Sequence, residues 1–228
     1  MQVKIRPHDK TQNRLISVRL RGMAAAPALV LGLALPSCGS SAPARHPARS
    51  AASRTTASAA SFEGPVIAQP APEPPLALRD YLGHEVRISS YLGRAVLLTF
   101  IYTHCPDTCP LIVSNLHNAL GLLGPNARNV QIVAVSTDPK GDTPRAVADF
   151  LARREMTGRM KYLIGSRRQL TPIWRSWGIS STNATAGDVV AHTALVYGIS
   201  ASGKVTTVYP ANFAPAEIAH DVPLLAKQ

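Results

Sequence analysis

The spacing of apolar positions changes repeatedly along residues 94–179, and the changes predict strands that alternate with helices. The run "RAVLLTFIYT" (94–103) is continuously apolar and rich in β-branched and aromatic side chains, which is typical of a buried central strand. The next segment, "LIVSNLHNALGLLG" (111–124), repeats Leu, Ile and Val at helical spacing and stops at a glycine. The alternation continues through "VQIVAVST", "DTPRAVADFLARRE", "MKYLIG" and "RRQLTPIWRSWGI". The chain therefore predicts a sheet covered by helices on both faces.

Two hairpins flank this alternating region. On its N-terminal side, "LALRDYLGHEVRISSYLG" (76–93) has a glycine-containing turn between two short strand-like runs. On its C-terminal side, "HTALVYGIS" and "KVTTVYP" surround "ASG" and predict a hairpin, which a short terminal helix follows. We predict an α/β fold of thioredoxin-like type over residues 76–228, with a mixed central sheet flanked by helices and with N-terminal and C-terminal hairpins.

Residues 1–38 have the pattern of an export signal. Six Lys or Arg residues precede the apolar stretch "MAAAPALVLGLAL" (23–35), and "LPSCG" then surrounds Cys38 with small residues. The segment resembles a bacterial lipoprotein signal, in which Cys38 would be lipidated and become the mature N-terminus. An uncleaved membrane anchor is the competing interpretation, although the apolar core alone is too short to span a bilayer. Both interpretations predict an exported domain tethered to a membrane, in the periplasm or on the outer face of the inner membrane.

Composition separates residues 39–75 from the rest of the chain. They are mostly Ala, Ser, Pro, Thr and Arg, so they cannot bury enough apolar surface to offset their chain entropy, and we predict a disordered tether. The net charge of +11 is concentrated near the N-terminus: residues 1–62 hold nine Lys or Arg and one acid, whereas residues 63–228 hold fifteen and twelve. The charge therefore does not indicate a nucleic-acid partner.

Two of the three cysteines, Cys105 and Cys109, follow the buried strand in "THCPDTCP". They lie where a strand ends and a helix starts, which is where ligands and reactive groups collect in α/β folds. Pro110 lacks an N–H group and fits only in the first helical turn, so the helix is predicted to begin near Asp107 or Thr108. Both thiols then lie on one side of this turn, and a helix N-terminus lowers the pKa of a thiol.

Several uses of this cysteine pair stay open on the residues alone. A thioredoxin-type redox pair has two residues between its cysteines, whereas this pair has three. A zinc site would need four N or S ligands, whereas Cu(I) accepts two thiolates and one imidazole. A structural disulfide in an oxidising compartment is the third use.

Three segments together resemble a known family. The segment "FIYTHCPDTCP" resembles the copper-site motif of the SCO/SenC family, which comprises thioredoxin-like proteins that help to assemble cytochrome c oxidase. The segment "VSTDPKGDTPRAVADFL" (135–151) is similar to the family's second block. The segment "VVAHTALVYGISASGKV" (189–205) is similar to the block that carries the family's histidine ligand.

This resemblance implies that Cys105, Cys109 and His192 bind copper, with Cu(I) favoured and Cu(II) as the other state. It implies a metallochaperone that delivers copper to the dinuclear centre of cytochrome c oxidase subunit II, or to another acceptor. The alternative is a thiol–disulfide oxidoreductase that uses Cys105 and Cys109 as its redox pair, together with an external thiol reductant. Ala191 directly precedes His192, where many members of the family have Asp. The chain therefore departs from the family pattern at a residue that would orient or tune this ligand.

The positions of the histidines and acids in the predicted elements favour one of them as a third ligand. His192 opens a predicted strand at the place where thioredoxin-like folds usually have a cis-proline facing the cysteines, and imidazole is a common metal ligand. The other histidines are predicted to lie away from the thiols: His104 points to the opposite side, His117 lies at the core edge, and His84 and His220 lie on the surface. The acids are predicted to be structural: Asp107 as a helix-start charge, and Asp138 and Asp142 as turn and cap residues, with Thr143 as the other candidate for the cap of the helix that begins at Pro144.

Overall fold

The computed structural model describes residues 61–179 and 194–228 of the chain. Its strands are β1 (Val66–Pro72), β2 (Ala77–Asp80), β3 (Glu85–Arg87), β4 (Ala95–Ile101), β5 (Val130–Ser136), β6 (Met160–Ile164), β7 (Leu195–Ile199) and β8 (Lys204–Pro210). Its helices are α1 (Thr108–Leu123), α2 (Pro144–Ala152), α3 (Arg167–Ser176) and α4 (Pro215–Leu225). None of these helices combines the length and apolarity needed to cross a membrane.

The described strands form one mixed sheet in the order β1-β8-β7-β4-β5-β6-β2-β3. The strands β4, β5 and β6 run parallel to one another. The N-terminal hairpin β2–β3 extends the sheet next to β6, and the C-terminal hairpin β7–β8 extends it next to β4. The predicted mixed sheet and both predicted hairpins are therefore confirmed.

Strand β4 divides the core into two parts because its side chains alternate across the sheet. Leu97 and Ile101 belong to a cluster that includes buried side chains of α1, α2 and α4. Leu98 and Phe100 belong to a second cluster, with side chains of α3 and of the N-terminal hairpin. Every residue of β4 is buried, as expected for a strand covered on both faces.

The direction of the strands gives the sheet two ends. Strands β4, β5 and β6 finish at the end where the chain enters α1, α2 and α3, and we call it the cysteine end because Cys105 follows β4. Strand β7 runs antiparallel to β4, so it begins at the same end. We call the other end, where β4, β5 and β6 begin, the opposite end.

Strand β1 corrects the predicted extent of the tether, because its residues 66–72 fall inside the segment 39–75. Its side chains are almost all exposed, and it is held by backbone pairing with β8. The N–H groups of Glu63 and Gly64 also donate to the buried carboxylate of Asp221, at 2.8 and 2.9 Å. Composition missed this strand because backbone hydrogen bonds hold it without side-chain burial. Residues 1–60, including Cys38, lie outside the described residues.

Candidate metal centre

The start of α1 is set by Asp107, as the sequence predicts. Its carboxylate accepts hydrogen bonds from the backbone N–H and the hydroxyl of Thr108, and the helix begins at Thr108. Pro110 is the third residue of the helix, where its missing N–H group costs no intrahelical bond. Cys109 is therefore fixed in the first helical turn, and Cys105 precedes the helix.

The two thiols lie close together and are free. The backbone N–H of Cys109 donates to the Sγ atom of Cys105 over 3.2 Å. Cys109 is buried, whereas Cys105 is partly exposed, and neither forms a disulfide. The turn between β4 and α1 therefore presents one accessible sulfur with a second, sheltered sulfur beside it.

The pair is electrostatically asymmetric. A hydrogen bond from the Cys109 thiol lowers the pKa of Cys105 to about 6, assisted by the backbone N–H groups of Cys109 and Asp107 and by the Tyr102 hydroxyl, although burial opposes the shift. The same hydrogen bond, together with burial, raises the pKa of Cys109. The shared hydrogen bond therefore favours a thiolate on Cys105 and the protonated thiol on Cys109.

A buried carboxylate supports the turn that carries Cys105. Asp142 accepts hydrogen bonds from the Thr103 N–H and hydroxyl, both at 2.8 Å, and from Ser136 Oγ at 2.6 Å. It also accepts one from the Tyr162 hydroxyl at 2.9 Å. Burial raises the pKa of this carboxyl, and these hydrogen bonds oppose the shift. The carboxylate thus ties the segment after β4 to β5 and β6 at the cysteine end.

The sequence predicts the cap of α2 at Asp142 or Thr143, and the second of these two candidates is correct. Thr143 is the N-cap of α2, and its side chain accepts a hydrogen bond from the Ala146 N–H. Asp138 is the turn residue, because its carboxylate accepts from the N–H groups of Lys140 and Gly141. Asp142, next to this cap, is buried because four donors from Thr103, Ser136 and Tyr162 converge on it.

Arg154 is a residue near the thiols that sequence reasoning missed. Its guanidinium lies 4.0 Å from the centroid of the Phe150 ring, and Nη1 donates to the Phe150 carbonyl at 3.2 Å. Burial lowers the pKa of Arg154, and the electrostatic influence of the cysteine pair acts in the opposite direction. The four-residue spacing of Phe150 and Arg154 at the end of the predicted helix is the signal that could have found it.

The contacts of the four described histidines are with residues other than the two cysteines. Nδ1 of His104 is 3.1 Å from the Thr103 hydroxyl, beside the turn that follows β5. Nε2 of His117 is 3.9 Å from Glu155, in the turn after α2, and the His117 side chain is partly buried. His84 and His220 contact Asp80 and Asp221 respectively and are partly exposed.

His192, the third predicted ligand, lies outside the described residues. Within residues 61–179 and 194–228, no three His, Cys, Asp or Glu side chains are grouped so that they could hold a metal ion. The predicted sulfur ligands Cys105 and Cys109 are thus brought together, and the ligation by His192 stays a prediction.

Fold and site together define the class of protein. The chain is a thioredoxin-like domain with a free cysteine pair at the junction of its central strand and first helix. The SCO1/SenC family model matches residues 68–227. The chain therefore belongs to the SCO1/SenC family, which confirms the resemblance seen in the three sequence motifs.

Individual relatives are similar over the same region. The human protein SCO1 homolog, mitochondrial, is 24% identical over 154 residues, which cover 65% of this chain and 50% of that protein. The structure of Bradyrhizobium japonicum ScoI with copper bound has a TM-score of 0.60 and 28% identity, and covers 68% of this chain and 99% of that one. Apo Sco1 of Thermus thermophilus has a TM-score of 0.63 and 27% identity, and covers 74% and 99%. The chain spans about half the length of the mitochondrial SCO relatives that it matches.

Proposed function

We propose that this chain is a copper metallochaperone that assists assembly of the dinuclear copper site of cytochrome c oxidase. The observation that carries the proposal is the free pair of adjacent sulfurs, Cys105 and Cys109, at the start of α1 in a member of the SCO1/SenC family. The copper-bound relative from Bradyrhizobium supports the choice of metal. Copper is the cargo, and its acceptor is subunit II or another exported copper protein.

The donor set fits Cu(I) best. Thiolates are soft ligands that select cuprous copper, and two sulfurs with one imidazole satisfy its low coordination number. Cys105 already favours the thiolate at neutral pH, whereas Cys109 must release a proton when the metal binds. Copper affinity should therefore rise with pH.

His192 is proposed as the third ligand because chain connectivity limits its position. Ala194, two residues later, packs on the core cluster that contains Cys109, and β7 begins at the cysteine end of the sheet. Two residues span at most about 7 Å. This short separation supports the proposal that the His192 imidazole completes the donor set.

Transfer would proceed by ligand exchange, in which sulfurs of the acceptor replace those of Cys105 and Cys109 on the ion. Oxidation would block it, because a disulfide between the two cysteines removes both thiolates as donors. Forming the disulfide from two thiols releases two electrons and two protons. A thiol reductant in the same compartment would return them and restore the free thiols. The redox state of the pair would thus gate copper delivery.

The test is copper stoichiometry and Cu(I) affinity of the reduced full chain, measured by competition with a Cu(I) chelator. We expect one copper per chain, and large losses of affinity in Cys105→Ser, Cys109→Ser and His192→Ala. The matched controls Cys38→Ser and His117→Ala should bind as the parent does. Undiminished copper in the Cys105 and Cys109 variants would refute the site.

A second candidate function is thiol–disulfide oxidoreduction. It is favoured by the asymmetry of the pair, because an accessible low-pKa thiol beside a buried protonated thiol suits attack followed by resolution. An oxidoreductase should reduce a model disulfide without copper, and His192→Ala should keep that activity. The chaperone proposal expects negligible turnover in this assay.

The proposed location is outside the cytoplasm, tethered to a membrane through the N-terminal segment. The export pattern of residues 1–38 supports it, with Cys38 as the lipidation position in one version and an uncleaved anchor in the other. Fractionation of the full chain and its Cys38→Ser variant distinguishes them, because only a lipid-linked chain should leave the membrane fraction when Cys38 is replaced.

A further inference from the structure

The opposite end of the sheet exposes large apolar side chains. Five such side chains are exposed among the described residues, and the three most exposed are Leu82 (61%), Leu92 (58%) and Leu122 (63%). Leu92 lies in the turn that enters β4, and Leu122 lies in the last turn of α1, just before the segment that enters β5. Leu82 lies in the β2–β3 turn, and β2 runs antiparallel to β6, so this turn is at the same end. The topology therefore gathers three unburied leucines at one end of the molecule.

The same end carries a pocket with two arginines. A cavity of about 460 Å³ is lined by Arg94 and Arg159, which directly precede β4 and β6, and its other lining residues are uncharged. Arg94 is held in place because its Nη2 donates to the Val130 carbonyl at 2.8 Å. Arg128, in the segment that enters β5, adds a third cation at this end. The pocket thus offers guanidinium donors without a carboxylate among its lining residues.

Two of the carboxylates near this end are paired, whereas Glu73, which lies beside the β7–β8 turn, forms no ion pair among the described residues. Asp80 is buried and lies 3.4 Å from Lys161 Nζ, and Glu85 forms an ion pair with Arg87. The guanidinium groups of Arg94 and Arg159 form no ion pair with any carboxylate of the described residues. Arg94, Arg128 and Arg159 outnumber this unpaired carboxylate, so the balance of these groups is positive.

We propose that the opposite end is a docking face for an anionic lipid surface, with Arg94 and Arg159 holding a headgroup phosphate and Leu82, Leu92 and Leu122 entering the interface. Guanidinium groups match phosphate geometry with paired hydrogen bonds, and apolar side chains beside cations are the composition of interfacial segments. A second copy of the chain fits less well, because two such faces would repel each other.

This inference goes beyond copper binding and does not depend on it. Docking by the opposite end would direct the cysteine end away from the membrane, so the sulfurs would face partners in the aqueous compartment. A segment of about 25 residues between the apolar stretch and the described domain can extend up to about 80 Å, so it permits the arrangement without imposing it.

The test is hydrogen exchange of the full chain reconstituted in vesicles of phosphatidylcholine, with and without phosphatidylglycerol. We expect phosphatidylglycerol to protect residues 92–94, 120–131 and 157–160, and added salt to reverse the protection. Each cation near an anionic surface contributes about fivefold in binding, so Arg94→Gln/Arg159→Gln should weaken docking roughly 30-fold. Leu82→Ser/Leu122→Ser, which alters only exposed side chains, should also remove the protection.

The matched control is Arg145→Gln/Arg168→Gln, which removes the same charge from exposed positions at the cysteine end and should leave the protection intact. Protection by pure phosphatidylcholine, or protection that survives both test variants, would overturn the proposal. A third arm adds inorganic phosphate to the chain in phosphatidylcholine. If phosphate reproduces the protection in the pocket while phosphatidylglycerol gives none, the site is for a free anion, and the lipid proposal is wrong.

Discussion

At the scale of single residues, the two thiols of the pair have opposite protonation tendencies because they share one hydrogen bond. The donor is the Cys109 thiol and the acceptor is the Cys105 sulfur, so the bond stabilises a thiolate on Cys105. The folded-state pKa of Cys105, about 6, is below its ordinary value of 9.0. The contribution of the Cys105 thiol to the free energy of unfolding is therefore present in full above pH 9.0, and it is lost as the pH falls towards 6.

We predict that alkylation of Cys105 follows a titration with a midpoint near pH 6. Cys109→Ala should move the midpoint up towards 9.0, because it removes the largest cause of the shift. Cys109→Ser keeps a hydroxyl donor and should move it less. Iodoacetamide rates from pH 5 to 10, read by mass spectrometry in a Cys38→Ser background, check this, and equal midpoints in the two variants would contradict the explanation.

Asp142 is the residue whose replacement should most disturb the support of the cysteine turn. Asp142→Asn replaces one of the two carboxylate oxygens, which accept four hydrogen bonds, with an NH2 group that can only donate. At least one buried donor therefore loses its acceptor. We expect a loss of about 2–3 kcal/mol in the free energy of unfolding. The control Asp138→Asn, whose carboxylate serves an exposed turn, should lose less than about 1 kcal/mol. Urea denaturation of both variants measures the difference, and equal losses would contradict the assigned role.

At the scale of elements, the end of α2 is strained at one position. Glu155 has φ of +53°, in the left-handed region, and the Met156 N–H donates back to the Leu151 carbonyl across it. Glycine is the usual residue at this place after a helix. We predict that Glu155→Gly raises the free energy of unfolding by about 1 kcal/mol, and that Glu155→Ala does not. Thermal denaturation of both variants tests this, and destabilisation by the glycine would contradict it.

The elements also show which structural features the sequence could predict. Strand β4 and helix α1 were predictable because burial dictates their apolar patterns, and the cysteine pair was predictable because Pro110 fixes the start of the helix. Strand β1 was not, since backbone hydrogen bonds hold it while its side chains stay exposed. Asp142 was missed because its partners come from β5, β6 and the segment after β4, which only the folded sheet brings together.

At the scale of the whole molecule, the N-terminal edge of the domain depends on contacts between distant parts of the chain. Asp221, on α4, is fully buried and accepts hydrogen bonds from Glu63, Gly64 and the Tyr209 hydroxyl. A Cβ atom at position 64 would lie only 2.1 Å from the Tyr209 ring, so only glycine allows this close approach. Residues 61–72 are therefore part of the domain, although their composition is that of a tether.

We predict that a chain beginning at residue 61 has the same free energy of unfolding as the full chain, whereas one beginning at residue 76 is less stable by about 3 kcal/mol or more. The shorter chain removes two charge-assisted hydrogen bonds from a buried carboxylate and leaves the β8 edge unpaired. Asp221→Asn in the longer chain should reproduce part of the loss, because the amide can accept only one of the two N–H bonds well. Urea denaturation of the three proteins, with light scattering to detect association through the open edge, gives the comparison. Equal stability of the two truncated chains would mean that the domain begins at residue 76, as composition alone predicts.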